Sequence, residues 1–310
     1  AGSNATAIGY NAMLNANNFT GPFINSNVAV GYEALRGSST PATNTGNENT
    51  ASGYQSLLSN TGGSSNTANG FKALYSNNSG TYNTANGNSA LHDNTIGYNN
   101  TANGKGALYS NTIGDNNTAN GVSALYSNVG GSNATAIGQD AMIYANNAPG
   151  AFINYNVAVG YQALRGSTSA AANTGNQNTA IGYQTLLTNT SGNNNTANGY
   201  LALTNNTTGS WNTCLGENTN VSVSNLDGAT AIGTGAITNA SNKIVIGAAL
   251  PGIMVIGGYA PWSNFSDGRF KTNIIEDVPG LSFISKLKPV TYNIDNRKLD
   301  LFLTQNMPDS

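Results

Sequence analysis

Small and apolar residues recur along the chain in one frame that is aligned by glycine. Alanine stands two residues before glycine in twelve of thirteen frames, and leucine or methionine stands four residues after it in eleven. The glycines are 22 or 17 residues apart, at Gly9, Gly31, Gly53, Gly70, Gly87, Gly104, Gly121, Gly138, Gly160, Gly182, Gly199, Gly216 and Gly233. A fixed period of this length is typical of a repeat protein.

Within each frame, polarity alternates in the four residues that end at glycine. Threonine, or valine at Val28 and Val157, precedes alanine, and a variable residue follows it. This period of two predicts a strand with threonine and the variable residue on one face and alanine and glycine on the other. We expect a bend at glycine, a second strand that carries leucine, and a closing loop. The pattern predicts an all-β protein, a parallel β-solenoid or β-roll of 17- and 22-residue repeats whose coils stack at about 4.8 Å.

Five frames contain an Asn-Gly pair, which elsewhere often marks a two-residue hairpin turn. The position before glycine also holds Ile8, Val30 and other β-branched residues. A type I′ turn needs positive φ at both of its residues, and β-branched side chains resist positive φ. We therefore expect no hairpins at these pairs. The prediction is instead an amide ladder of stacked asparagines with a glycine bend beside each, formed by Asn69, Asn86, Asn103 and Asn120 with Gly70, Gly87, Gly104 and Gly121.

A longer repeat and a change of composition predict the domain organisation. Residues 23–37, FINSNVAVGYEALRG, return at 152–166 as FINYNVAVGYQALRG. We expect a solenoid shaft over 1–241, built from duplicated blocks that start near 4 and 133. Of 24 charged residues, 13 lie from Lys243 onward. We therefore expect closing strands and a hinge over 242–262, with parallel coils up to about residue 258, and a different, partly helical segment over 263–310.

Composition excludes several classes of function. Only 8% of the residues are charged, and no cluster of basic residues precedes Lys243, so we expect no nucleic-acid partner. No apolar run is long enough to span a membrane. A single cysteine excludes a disulfide framework and a thiolate zinc site, and we expect Cys214 to be a buried, inert thiol. His92 is expected on a loop or surface. We expect no metal or cofactor, because the aspartates lack calcium-loop spacing.

The predicted core is small for a chain of this length. About a dozen leucine-type residues contribute on the order of 30 kcal/mol, which is little against the cost of ordering some 230 residues at about 1 kcal/mol each. We therefore expect the chain to associate with copies of itself. A face lined by alanine and glycine would permit close approach between backbones.

The C-terminal segment resembles a known family. SDGRFKTNI at 266–274 and VPGLSFISKLKPVTYNID at 278–295 resemble the start of the intramolecular chaperone domain of endosialidase-type phage tail spikes and bacterial tail-fibre-like proteins. The upstream repeats are similar in architecture to trimeric autotransporter adhesin heads. The resemblance implies an extracellular, cell-surface or virion homotrimeric fibre, which could join end to end. It also implies self-cleavage at Phe265-Ser266, with Ser266 as nucleophile and Lys271 as general base.

The chain ends 44 residues after Ser266, short of a complete chaperone domain, and we expect the Phe265-Ser266 bond to be intact. Residues 280–290 would then form a short amphipathic helix that ends at Pro289. Its apolar residues Leu281, Ile284 and Leu287 would pack against symmetry mates as a terminal clamp. Beyond one self-cleavage event, no enzymatic activity is expected.

The sequence therefore predicts a structural fibre shaft that assembles as a homotrimeric β-solenoid. The alternative is a glycan- or receptor-binding adhesin or tail fibre, whose contacts would lie in the Tyr- and Asn-rich loops at 15–26 and 144–155. A rival hypothesis is ice binding through the stacked threonine column. Two observations argue against ice binding. The column also contains Val28 and Val157, and long 22-residue repeats interrupt it.

Overall fold

The computed structural model describes residues 4–15, 24–40, 43–247 and 256–258. Each coil contributes one three-residue strand to the main sheet, and four further strands have two residues each. The strands are β1 Thr6–Ile8, β2 Val28–Val30, β3 Thr50–Ser52, β4 Thr67–Asn69, β5 Thr84–Asn86, β6 Thr101–Asn103, β7 Thr118–Asn120, β8 Gly131–Ser132, β9 Thr135–Ile137, β10 Phe152–Ile153, β11 Val157–Val159, β12 Thr179–Ile181, β13 Thr196–Asn198, β14 Thr213–Leu215, β15 Asn220–Val221, β16 Thr230–Ile232, β17 Ile237–Thr238, β18 Ile244–Ile246 and β19 Ile256–Gly258. A single 3₁₀ turn, Ala170–Ala172, is described.

The strands form a parallel β-solenoid, as the repeat predicts. One sheet of 15 strands runs β1-β2-β3-β4-β5-β6-β7-β9-β11-β12-β13-β14-β16-β18-β19. Every neighbouring pair up to β18 is parallel and in register, so that Ala68 pairs with Ala85 and Ala85 with Ala102. Two short parallel pairs, β8 with β10 and β15 with β17, lie outside this sheet. No antiparallel hairpin occurs at any Asn-Gly pair of the described residues.

The last described strand departs from the prediction. Both β18 and β19 form in the region expected to hold closing strands, but β19 pairs antiparallel to β18, with Ile244 opposite Gly258. The parallel stack therefore stops at β18 rather than at about residue 258. The chain divides into two units, Ala1–Tyr259 and Ala260–Ser310, and the second lies outside the described residues. The expected helix over 280–290 also lies there.

The alternation within each strand is as predicted, but its inner face serves a different purpose. The central residue of the strand is fully buried in every coil from Ala29 to Ala231, including Cys214. Threonine and the variable residue point outward. The alanine column therefore lines the inside of a single solenoid, and the expectation that it is a contact face between chains is wrong. Small side chains are needed there because a 17-residue coil encloses little space.

The residues after glycine do not form the predicted second strand. They form a turn in which the second and fourth residues have positive φ, such as Lys72 at 53° and Leu74 at 51°. The leucine at the fourth position points into the core and is fully buried at Leu57, Leu74, Leu91, Leu108 and Leu125. Positive φ strongly disfavours β-branched residues. The eleven frames with positive φ at this position all hold leucine or methionine, whereas Ile237, four residues after Gly233, lies in β17 without positive φ.

Glycine itself is required at the bend for two reasons. Its φ lies between 107° and 141° in all thirteen frames, a conformation that L-residues rarely adopt. A Cβ at Gly87 would also lie 2.6 Å from the carbonyl oxygen of Gly104 in the next coil. The Gly87 N–H donates to the Asn69 carbonyl at 2.8 Å, which links this coil to the preceding one.

Two columns of buried asparagine hold neighbouring coils together inside the solenoid. The first column lies just before the strands and includes Asn49, Asn66, Asn83, Asn100 and Asn117, all fully buried. The side-chain oxygen of Asn66 accepts the Asn83 backbone N–H at 2.9 Å, and its amide nitrogen donates to the Gly80 carbonyl at 2.8 Å. Each side chain of this column thus bonds to the backbone of the next coil at two points, and the Asn66 amide also donates to the Asn49 side-chain oxygen at 3.1 Å. The column is interrupted at Ala134 and resumes at Asn156, Asn178, Asn195 and Asn212.

The second column consists of Asn60, Asn77, Asn94, Asn111 and Asn128, with Asn189 and Asn206 in the second block. The Asn94 amide donates to the Asn77 side-chain oxygen at 2.8 Å and to the Gly97 carbonyl at 3.0 Å. The column is interrupted by the 22-residue coils, and the side-chain oxygen of Asn128, next to that interruption, is buried without a hydrogen-bond partner. The sequence interpretation missed both buried columns.

The 22-residue coils use a different asparagine to order their longer loops. The Asn173 side chain accepts the Ser167 N–H at 2.9 Å and donates to the Ser167 carbonyl at 2.8 Å. It also donates to the Tyr144 carbonyl of the preceding coil. Asn44 makes the equivalent bonds with Ser38 in the first block. The extra five residues therefore extend the loop without breaking the stack of strands.

We predict that Leu91→Ile destabilises the fold and that Leu91→Met does not. Both replacements keep an apolar side chain of similar size, but isoleucine resists the φ of 51° at this position. Met142 occupies the equivalent position naturally with a φ of 49°. We expect the isoleucine variant to lose about 1–3 kcal/mol in free energy of unfolding and the methionine variant less than about 1 kcal/mol, measured by denaturant titration. Equal losses would contradict the backbone explanation.

The two asparagines of one N-T-A-N frame provide a second test. Asn66→Ala leaves the Asn83 N–H without an acceptor in the core and should cost about 2–3 kcal/mol in free energy of unfolding. Asn69→Ala removes an exposed, outward side chain of the same coil and should change stability by less than about 0.5 kcal/mol. Thermal and denaturant unfolding of both variants check the difference. Similar losses in the two variants would show that the buried column is not the stabilising one.

Candidate functional surface

The outer side of the main sheet is the most regular surface of the described molecule. We call it the strand face: the outward side chains at the first and third positions of the fourteen parallel strands. The first column is threonine except at Val28, Val157 and Ile244. The third column is Ile8, Val30, Ser52, Asn69, Asn86, Asn103, Asn120, Ile137, Val159, Ile181, Asn198, Leu215, Ile232 and Ile246. No residue of the strand face is charged.

The predicted ladder of Asn69, Asn86, Asn103 and Asn120 lies on this face. The sheet register pairs the four residues in sequence. One direct amide bond is present among them, from Asn86 Nδ2 to Asn103 Oδ1 at 2.9 Å. Gly70, Gly87, Gly104 and Gly121 follow them as bends with φ of 133° to 141°. The column is exposed or half-buried, so it contributes less to the core than the buried columns do.

Aromatic rings form stacked columns on the turn that follows glycine. Tyr10, Tyr32, Tyr54 and Phe71 stack directly after glycine with centroids 5.1–5.2 Å apart. Tyr75, His92, Tyr109 and Tyr126 form a second stack, four residues further along the turn, at 4.9–5.0 Å. Tyr161, Tyr183 and Tyr200 return to the first position at 5.2–5.3 Å. The ammonium of Lys72 lies 5.5 Å from the Phe71 ring and 5.1 Å from the Tyr75 ring, between the first two stacks.

The geometry of these stacks limits what they can bind. The planes of neighbouring rings are within 15° of parallel, so each inner ring has another ring on both of its faces. Flat ligands and sugar rings are recognised by stacking on a free aromatic face. The inner rings offer only their edges and hydroxyl groups to solvent. The columns therefore stabilise the coils through ring contacts and are poor platforms for stacking a ligand.

The single histidine belongs to one of these columns. His92 lies between Tyr75 and Tyr109, with ring planes 5° from parallel on each side. Its Nδ1 is 2.6 Å from Asp93 Oδ1. The expected surface position is correct, but the stacking was not foreseen. The signal was available, since His92 stands in a slot that its neighbours fill with tyrosine.

The scattered aspartates bond to the backbone instead of to each other. Asp115 Oδ1 accepts the Tyr98 N–H at 2.9 Å, and Asp227 Oδ1 accepts the Ser210 N–H at 2.7 Å, each from the preceding coil. Burial raises the pKa of Asp115. Within the described ranges, no three side chains of histidine, cysteine or acidic type lie close enough to hold a metal ion.

Cys214 replaces alanine in the inner column and is fully buried between Ala197 and Ala231. Burial raises the pKa of its thiol to about 12. A thiol in this state carries no thiolate at neutral pH, as expected for an inert core residue.

Two small cavities, of about 20 Å³ each, lie at equivalent places in the two blocks of long coils and are lined by asparagines such as Asn27 and Asn156. This volume suits one water molecule. Ser266 and Lys271, the residues implied in self-cleavage, lie outside the described residues. No helix in the described ranges is long and apolar enough to cross a membrane.

Comparison with protein-family models gives no match, and no curated protein matches the chain. The functional argument therefore depends on the described geometry and on the resemblance noted in the sequence.

We predict that native protein does not react with iodoacetamide at Cys214 and that denatured protein does. The thiol is sealed in the core and stays protonated up to about pH 12, whereas the unfolded thiol titrates near 9.0. Between these values the unfolded chain loses a proton that the folded chain keeps, so the free energy of unfolding should fall as the pH rises above 9.0. Mass spectrometry of labelled protein and urea titrations at pH 8 and about 10.5 check both points. Cys214→Ala should remove this part of the pH dependence.

Proposed function

We propose that this chain is the shaft of an extracellular fibre, in which copies form a homotrimer that holds other parts of a particle or cell surface at a distance. The observation that carries the proposal is the uninterrupted, in-register stack of strands from Thr6 to Ile246. Fourteen coils at about 4.8 Å give a rod on the order of 60 Å long in a single chain. A rod of this kind transmits force along its axis through coil-to-coil hydrogen bonds.

Three features of the described surface agree with a structural role. The two cavities each have room for about one water, the inner aromatic rings are covered on both faces, and Asp115 and Asp227 bond to the backbone. None of these features provides a pocket in which a substrate could react. The resemblance of residues 266–295 to a tail-fibre chaperone segment supports the same proposal, together with the extracellular location and threefold assembly that it implies.

The alternative is a fibre that binds a glycan or a receptor. It is favoured by one feature, the loop at 144–155, where Ile153 and Tyr155 are about half exposed. No stacked neighbour covers the Tyr155 ring among the described residues, so a sugar could stack on it. This loop occurs in a 22-residue coil, as does its counterpart at 15–26.

Light scattering and electron microscopy test the shaft proposal. We expect the folded full-length chain to have three times the mass of one chain and to form rods of uniform width. Antibodies raised against it should label filaments on the native particle or cell. A folded monomer, or label confined to the interior of cells, would contradict the proposal. Glycan-array binding that is lost in Tyr155→Ala and kept in Tyr98→Ala would favour the adhesin instead.

A further inference from the structure

We infer that the strand face is the surface through which copies of this chain associate, side by side, parallel and in register. Each coil would then meet the same coil of a neighbouring chain. The inference rests on the proposed fibre function and adds the contact surface and the relative direction of the chains, neither of which the resemblance specifies. The occupant of this face is a second copy of the chain.

The distribution of charge distinguishes this face from the remaining surface. Twelve charged residues lie within the described ranges, and all of them are outside the strand face: Glu33, Arg36, Glu48, Lys72, Asp93, Lys105, Asp115, Asp140, Arg165, Glu217, Asp227 and Lys243. The centres of protein interfaces are depleted in charged residues. The strand face is therefore a long strip of the described solenoid that can be desolvated without burying a charge.

Exposed apolar residues on this face also favour association. Ile8 is 59% exposed, and Ile137, Ile181 and Leu215 are each 37–39% exposed. Regular columns of uncharged side chains at the strand spacing are the surfaces that pack against each other, without water, in cross-β assemblies. Solvent-facing sheets that must stay single commonly carry charges. Here threonine, asparagine and isoleucine take those positions.

The area of the face is close to that of a standard interface. Thirteen intervals of about 4.8 Å make it roughly 62 Å long, and three-residue strands make it about 10 Å wide. The resulting area of about 600 Å² per chain approaches the roughly 800 Å² per partner in stable complexes. The adjoining tyrosine column, with Tyr32, Tyr54 and Tyr183 each about 40% exposed, lies next to the face and can add to the contact.

The order of residues in the third column selects the parallel arrangement. Asparagine occupies four consecutive coils from Asn69 to Asn120, and the next three coils carry the apolar residues Ile137, Val159 and Ile181. In a parallel, in-register pair, asparagine meets asparagine and isoleucine meets isoleucine. A full-length antiparallel pair would instead place Asn86, Asn103 and Asn120 opposite Ile181, Val159 and Ile137. A buried amide without a partner costs about 1–3 kcal/mol, so the antiparallel pair is disfavoured.

Charge placed on the face tests the contact surface. The variant Thr84→Lys, Thr101→Lys, Thr118→Lys puts three outward ammonium groups on consecutive coils. We expect it to stay folded as one solenoid and to weaken association by about 100-fold or more, because each buried unpaired charge is costly. The matched control, Ser79→Lys, Ile96→Lys, Ile113→Lys, adds the same charges on the loops that close three coils and should associate like the unmodified chain.

Light scattering gives the mass of each variant, and circular dichroism with cooperative melting shows that each is folded. A folded Thr-to-Lys variant that keeps the oligomer mass would overturn the inference and leave the fibre proposal standing. A folded monomer of the unmodified chain would overturn both. If that monomer also caused thermal hysteresis in ice growth, the strand face would instead be an ice-binding surface.

Single cysteines test the direction of the chains. In a parallel assembly, Thr67→Cys protein should cross-link to itself with a short bifunctional maleimide, and so should Thr196→Cys protein. The two positions are seven coils apart, about 34 Å, so a mixture of the two should give no mixed product. Cross-linking found only in the mixture would show an antiparallel pair and overturn the inference. Cys214 is fully buried and gives no background.

Discussion

The structure depends on the hydrogen bonding of asparagine amides inside a coil too narrow for a conventional core. A 17-residue coil leaves room for two alanines, one leucine and two amides in cross-section. Buried amides are costly without partners, but here each side chain bonds to the backbone of the next coil or to the same residue in a neighbouring coil. The polar interior therefore enforces the register. A shift of one coil against another by one residue would leave a whole column unpaired.

Much of the fold could be predicted from the repeat because period and burial are directly related in a strand. The alternation around the constant alanine separated the two faces of the strand, and Ile8 and Val30 before glycine excluded hairpins. Cys214 was placed correctly because it occupied an alanine slot. The prediction failed where the backbone left the strand conformation. Nothing in a period of two reveals the positive φ of Leu74, and only the absence of β-branched residues from that slot could have indicated it.

The failure to predict the buried asparagine columns has a similar explanation. Asn66 and Asn69 recur equally often in the N-T-A-N frames, so frequency could not separate them. The alternation rule could have done so: Asn66 lies two residues before the inward Ala68, and Asn69 is the residue directly after it. Asn-Gly pairs usually mark turns, and this association favoured the exposed Asn69 column over the buried Asn66 column. The alanine face was also misassigned. Small residues suggested a contact surface between chains, but they fill the inside of the coil.

The coil-to-coil bonds also bear on chemical ageing. An Asn-Gly pair in a flexible chain deamidates readily, because the glycine backbone nitrogen attacks the asparagine side-chain carbonyl to form a succinimide and release ammonia. In this solenoid the N–H groups of Gly70 and Gly87 donate to carbonyls of the preceding coil at 2.8 Å, and the backbone between asparagine and glycine is held extended. The nitrogen is thus kept away from its target. The Asn-Gly pairs of this chain are therefore protected from deamidation for as long as the coils stay stacked.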